Sequence, residues 1–283
     1  MKLSEMKQIL SEGQIQLTKS LGQNFLHDVH QLDRIVAAAE IQPGDHVLEI
    51  GPGLGPLTEK LLEAGAHVWA IEKDRRLFEF LQKKHRKESR LELVHGDALE
   101  FLRKNTTDWS SWKVVSNLPY SVASPILVEL AQAPGAPISM VVTLQLEVAE
   151  RIMAKAGDDH YGLLTLLLQV RYEPGGWFRI SARCFWPVPE VDSACITLRK
   201  RSVPLLEASD LAAFQKIVKR AFSQRRKMMF KLLKSDWPIA RLENAFQELS
   251  LPPTIRAEDV SLEQFVRLTR ILEFSASTKT SAH

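Results

Sequence analysis

The glycine run Gly51-Pro52-Gly53-Leu54-Gly55 follows a short apolar segment, His46-Val47-Leu48-Glu49-Ile50, and precedes a helix-like stretch from Pro56 through Leu61, Leu62 and Ala64. A second apolar run, His67 to Ile71, ends in Glu72, and a third, Leu91 to His95, ends in Gly96-Asp97. Strand, glycine turn, helix, strand is the order of a nucleotide-binding βαβ unit, which commits the chain to a parallel sheet.

The alternation continues. Periodicity predicts a helix over Leu32 to Ala39, a strand over Lys113 to Ser116, a helix over Val122 to Ala131, a strand over Ile138 to Gln145 and a helix over Leu146 to Lys155. The fold class expected is α/β, with helices on both faces of the sheet. Val170 to Leu198 reads as a β-hairpin closing the sheet edge. After Pro204 the pattern is helical only: Leu211 to Phe222, Arg225 to Lys234, Ile239 to Leu249 and Leu262 to Leu272, punctuated by Pro238, Pro252 and Pro253. With 283 residues, 45% of them hydrophobic, the chain can bury a large and a small core. The expected division is a domain over 1–203 and a small all-helical C-terminal domain over 204–283, with a disordered Ser, Thr and Ala-rich tail from Phe274.

The glycine loop implies a nucleoside ligand. Glu72, some twenty residues after Gly51, stands where a carboxylate takes both ribose hydroxyls. Asp97 is placed to accept from an adenine amino group. The spacing is G-x-G-x-G followed by Pro56 rather than G-x-G-x-x-G, and a pyrophosphate would need free amides at the helix start where Pro56 offers none. S-adenosylmethionine has the adenine and ribose, no phosphate, and a positive sulfonium that needs no anion cradle. The loop therefore reads as a methyltransferase loop.

Asn117-Leu118-Pro119-Tyr120, at the end of the apolar Val114-Val115 run, points to chemistry on an amino-bearing ring. The exocyclic amine of adenine is a poor nucleophile because its lone pair is delocalised into the ring. The Asn117 side-chain oxygen and the Leu118 carbonyl can accept its two N–H protons and return that lone pair. Pro119 lacks an N–H and fixes φ near −65°, which holds the carbonyl in place. Tyr120 offers a face for base stacking, worth roughly 1–3 kcal/mol. A plain turn after a strand accounts for the tetrad equally well when it is taken alone, since Asn and Pro are ordinary turn residues.

Taken together with Lys19-Ser20-Leu21-Gly22-Gln23-Asn24-Phe25-Leu26, with Phe185-Trp186-Pro187-Val188-Pro189 and Val191-Asp192-Ser193-Ala194, and with Phe222 and Arg225-Arg226-Lys227, these pieces make the chain resemble the small-subunit ribosomal RNA adenine dimethyltransferases of the KsgA (RsmA) type. The resemblance implies a Rossmann-like class I methyltransferase sheet plus the helical domain. It also implies transfer of four methyl groups from S-adenosylmethionine to two adjacent adenosines near the 3′ end of the small-subunit RNA. By the same resemblance Asn24, Leu26, Gly51, Glu72, Asp97 and Asn117 hold the cofactor, and Phe185 is a second aromatic wall opposite Tyr120. Asn24 and Leu26 carry no signal of their own and would otherwise read as an N-terminal lead-in. The chain departs from the family pattern twice: Met228-Met229-Phe230-Lys231 follows the basic triplet, and Ser181-Ala182 stand where relatives show Pro-Pro.

Net charge is only +3, but Arg199 to Lys234 holds eleven Lys or Arg against two acids, Glu207 and Asp210. Such a cluster is the footprint expected for a phosphate backbone, with Arg225, Arg226 and Lys227 as its RNA contacts. The partner implied is small-subunit ribosomal RNA within an immature subunit, met by a monomer. Cys184 and Cys195 lack metal spacing and are too few for a disulfide framework, which fits a reducing cytoplasm. His27 and His30 lack a third ligand, so no metal is expected. The amino terminus has an early acid and no apolar core, unlike a secretory signal, and no run reaches the roughly eighteen apolar residues of a membrane span. Two other functions compete: a large-subunit RNA adenine methylase that confers antibiotic resistance, and an assembly factor whose main role is RNA binding.

Overall fold

The computed structural model describes residues 1, 3–12, 15, 23–104, 107–224 and 226–277. The chain divides into two compact units, one made of Met1–Ala149 and Glu173–Lys200, the other of Glu150–Tyr172 and the chain from Arg201 onward. The single boundary near residue 203 expected from the sequence places Glu150–Tyr172 in the first unit; the structure packs that segment with the second. The reason is its apolar content: Tyr161, Leu166 and Val170 bury against the C-terminal helices.

The first unit has strands β1 (Phe25–Leu26), β2 (His46–Ile50), β3 (His67–Glu72), β4 (Leu91–His95), β5 (Lys113–Asn117), β6 (Ser139–Gln145), β7 (Tyr172–Ile180), β8 (Phe185–Trp186) and β9 (Ser193–Lys200), and helices α1 (Leu3–Glu12), α2 (Val29–Ala38), α3 (Pro56–Glu63), α4 (Arg75–Lys84), α5 (Ala98–Lys104) and α6 (Ala123–Gln132). Among the described residues seven strands form one sheet in the order β4-β3-β2-β5-β6-β9-β7, and β1 pairs with β8 apart from it. Strands β2 through β6 run parallel. β9 returns antiparallel to β6, with Cys195 opposite Thr143 and Ser193 opposite Gln145.

Helices cover both faces. Val47, Val68, Ala70, Val115 and Val141 turn to one face, where Leu32 and Ile35 of α2 and Leu57 and Leu61 of α3 bury them. Each fully buried Val, Leu or Ile of this set contributes about 1.5–3 kcal/mol. Side chains alternate along a strand, so Trp69 turns to the opposite face. There its ring meets Phe101 of α5 edge-on at 5.5 Å and Trp109 at 5.3 Å. The helix starts follow ordinary capping chemistry: Asp28 accepts from the Gln31 N–H ahead of α2, and Asp74 from the Arg76 N–H ahead of α4. Helices α1, α4 and α5 are not among the elements expected from the sequence; half of α4 is charged, and its Leu77 and Leu81 are buried. Both cysteines are free, and burial pushes the Cys195 thiol up to about 12.

The second unit contains the C-terminal half of α7 (Leu146–Met153), then α8 (Leu163–Gln169), α9 (Leu211–Ala221), α10 (Met229–Leu233), α11 (Ile239–Glu248) and α12 (Leu262–Ser277). Leu166, Phe214, Ile217, Leu242, Phe246, Phe265 and Leu268 form its core. The helix expected from Arg225 starts only at Met229, whose N–H donates to the Ile255 carbonyl at 2.9 Å. Helix α12 runs on to Ser277, past the point where a disordered tail was expected; 278–283 lie outside the described residues. No helix among the described residues is long and apolar enough to cross a membrane.

Candidate active site

The C-terminal ends of β2, β3, β4 and β5 open onto one cavity. The strand order reverses between β2 and β5, and such a switch point is where open α/β sheets bind ligands. Asn24, Leu26, Gly51, Glu72, Asp97, Asn117, Leu118, Pro119 and Tyr120 all line it, so nine of the residues singled out in the sequence meet in one place. Phe185 is not among the lining residues.

The loop after β2 is shaped for close approach. Gly51 has φ +69°, and a Cβ there would come within 3.3 Å of the Pro119 ring. Gly53 has φ +63°, and its N–H donates to Glu72 Oε2 at 3.0 Å while the Asp74 N–H donates to Oε1 at 2.8 Å. Both oxygens of Glu72 are thus held by the backbone, each with a lone pair left for a ligand hydroxyl. Burial raises the Glu72 carboxyl, opposed by the backbone donors of Asp74 and Gly53. Asp97 caps α5, its Oδ1 accepting from the Leu99 N–H at 2.9 Å and the Glu100 N–H at 3.2 Å. Its Oδ2 pairs with Lys73 at 2.8 Å, and that hydrogen bond, more than any other influence, keeps the carboxyl below its usual range.

Asn117 ends β5. Its Nδ2 donates to the Asn24 carbonyl at 3.0 Å, which gives Asn24 a visible role through its backbone. Its Oδ1 is buried and has no hydrogen-bond partner among the described residues. A buried acceptor left unpaired costs about 1–3 kcal/mol, so this oxygen is set to receive an N–H from a ligand. The Leu118 N–H donates to the Thr143 carbonyl at 3.0 Å, and the Pro119 carbonyl accepts from the Val122 N–H at 3.1 Å as α6 begins. The Tyr120 hydroxyl lies 2.5 Å from Ser193 Oγ, and burial raises its phenol.

Phe185 is the residue that the resemblance makes a second aromatic wall. Its side chain is 1% exposed and packs with Leu26, Ile35, Val115 and Cys195. The antiparallel β1–β8 pairing sets Phe185 opposite Leu26 and buries its ring in the sheet core. Arg226 and Lys227 are exposed in the turn before α10, in the second unit; Arg225 lies outside the described residues.

Glu49 lines the cavity too and was not singled out. It is 1% exposed, accepts from Thr58 Oγ1 at 2.7 Å, and is pushed by burial up to about 8. A lone acid within an apolar strand was the signal available for it. The other charged residues lining the cavity are Glu72, Asp97 and Lys73, and Lys73 is paired to Asp97. The donor set therefore suits a cation with hydroxyl and amino groups and does not suit a phosphate, which fits S-adenosylmethionine. No group of described residues has the make-up of a metal site.

The profile described as ribosomal RNA adenine dimethylase matches residues 14–273. The ribosomal RNA small subunit methyltransferase A of Protochlamydia amoebophila is 39% identical over 272 residues, covering 94% of this chain and 95% of that protein. The protein of the same name from Gloeobacter violaceus is 42% identical over 258 residues, covering 90% and 93%. Among solved structures, a dimethyladenosine transferase from Plasmodium falciparum matches with a TM-score of 0.75 at 25% identity over 90% of this chain and 98% of that one. The 23S rRNA methyltransferase ErmE matches at 0.68 and 30% identity, over 88% and 100%. With nearly its whole length matched by the profile, and with such relatives, the chain belongs to the ribosomal RNA adenine dimethylase family.

Proposed function

We propose that this protein uses S-adenosylmethionine to dimethylate N6 of two adjacent adenosines near the 3′ end of small-subunit (16S) ribosomal RNA, as a step in small-subunit biogenesis. The observation that carries the reading is the buried, unpartnered Oδ1 of Asn117, set beside Tyr120 and above the glycine loop. The names of the relatives, which specify the small subunit, favour that RNA over the large-subunit one.

When bound, S-adenosylmethionine supplies the methyl group as an electrophilic carbon on a sulfonium. Glu72 would accept from its ribose and Asp97 from its adenine amine, with Gly51 allowing the close approach. Tyr120 receives the target base, which must leave its stack at a cost of a few kcal/mol. Asn117 Oδ1 and the Leu118 carbonyl accept hydrogen bonds from the N6 amine, and because positive charge grows on N6 during transfer they bind the transition state better than the substrate. Pro119 holds that carbonyl without competing for it as a donor. Arg225, Arg226 and Lys227 contact RNA phosphates from the helical unit. The protein acts in the cytoplasm, as a monomer, on immature small subunits and without a metal.

The test is transfer of labelled methyl groups from S-adenosylmethionine to immature small subunits, with the modified position mapped by mass spectrometry. Dimethyladenosine at two neighbouring positions near the 3′ end is expected. Label only in large-subunit RNA would assign the protein to the resistance methylases, and RNA binding without label would make it an assembly factor.

A further inference from the structure

Tyr120 follows Pro119 in a turn, and its ring can rotate about two torsions unless something holds its far end. Ser193 does. Its side chain is fully buried, at 0% exposure, and its Oγ lies 2.5 Å from the Tyr120 hydroxyl. Ser193 is itself held in a rigid frame. It opens β9 opposite Gln145, and the preceding residue, Asp192, accepts the Leu146 N–H on its carbonyl at 3.0 Å. The Asp192 carboxylate pairs with Arg179 at 2.5 Å and accepts the Ala182 N–H at 2.8 Å. Position 193 is thus tied to β6, to β7 and to the turn before β8.

We propose that Ser193 is a positioning residue for methyl transfer: its hydroxyl fixes the Tyr120 ring as the wall against which the extruded adenine is held. The inference rests on the reading of Tyr120 as the wall that receives the target base. Tyr120 lines the cavity, and an unanchored ring there leaves the base free to tilt. The rest of the RNA is bound through other contacts. Loosening the wall therefore lowers the fraction of bound RNA whose base sits in the pocket, and that fraction scales kcat while KM for RNA stays put.

The experiment is a double-mutant cycle on the full chain, with immature small subunits as substrate and kcat expressed per cofactor-binding site counted by titration. Ser193→Ala and Tyr120→Phe should each lower kcat about three- to ten-fold, the range for loss of one neutral hydrogen bond, with KM for RNA and the Kd for S-adenosylmethionine within about two-fold of the parent. The double variant should be no slower than either single one, because both remove the same contact. Tyr120→Ala should fall further, since it removes the ring. Counting sites removes any loss due to misfolded protein. Should Ser193→Ala fail to fold, Tyr120→Phe breaks the same bond from the other side in a nearly unchanged shape. Parental kcat in Tyr120→Phe, or a double variant slowed by the product of the single effects, overturns the positioning role while Tyr120→Ala remains slow. Parental kcat in Tyr120→Ala instead overturns the reading of Tyr120 itself.

Discussion

The ring of Phe25 occupies the place where a side chain on Gly53 would have to go: an ideal Cβ at 53 would lie 2.7 Å from Phe25 Cε1. The same glycine has φ +63° and gives its N–H to Glu72. Gly53→Ala thus meets steric overlap and a left-handed backbone together, at a cost of about 2–4 kcal/mol. A lower thermal midpoint and a weaker calorimetric Kd for S-adenosylmethionine are expected. Adding Phe25→Ala should recover only the steric part, and parental behaviour of Gly53→Ala would contradict the close approach.

Asn117→Ala removes the unpartnered acceptor and the donor to the Asn24 carbonyl. Turnover should drop by roughly 10²–10³, as for loss of one preorganised polar group. Circular dichroism should show the fold intact. Methylation at the parental rate would rule Asn117 out of the chemistry.

Glu49 makes stability depend on pH. Its folded-state value of about 8 lies above the ordinary 4.5 because of burial, and Glu72 is raised in the same sense. The folded protein therefore holds protons that the unfolded chain has released, so stability is full below about pH 4.5 and declines as pH rises toward 8. Glu49→Gln keeps a neutral side chain at every pH. Its thermal midpoint should match the parent near pH 5 and exceed it near pH 8 to 9; equal midpoints at both would show that Glu49 ionises at little cost.

Replacing Arg225, Arg226 and Lys227 together should flatten the salt dependence of RNA binding. Each lost phosphate contact lowers the log–log slope by about 0.7 for single-stranded RNA. Filter binding between low and moderate salt measures it, and an unchanged slope would take these residues off the RNA surface. Cofactor affinity should not change.

The glycine loop, Glu72, Asp97 and the Asn117 to Tyr120 tetrad were legible in the sequence because each is a local pattern whose spacing already implies its chemistry. The parallel sheet followed from the same alternation. Asn24 was invisible to such reading, since what it offers Asn117 is a backbone carbonyl that any residue possesses. Glu49 was hidden because its chemistry comes from burial, which needs the packed sheet. The burial of Phe185 was hidden too, because it comes from pairing with β1, a strand of two residues too short to show periodicity. The segment from Glu150 to Tyr172 sits between sheet elements in the sequence, and only its side-chain contacts reveal the unit that it completes.

That last segment has a consequence for how the chain can be cut. The Tyr161 hydroxyl donates to the Val260 carbonyl at 2.9 Å, and Leu166 is fully buried in the core it shares with the helices after residue 201. A fragment starting at Pro204 would lack Glu150–Tyr172 and leave that core open, so the helical unit is not a contiguous piece of the chain. On the ribosome that makes it, its first helices must wait for the final strand of the sheet to be synthesised before their partners emerge.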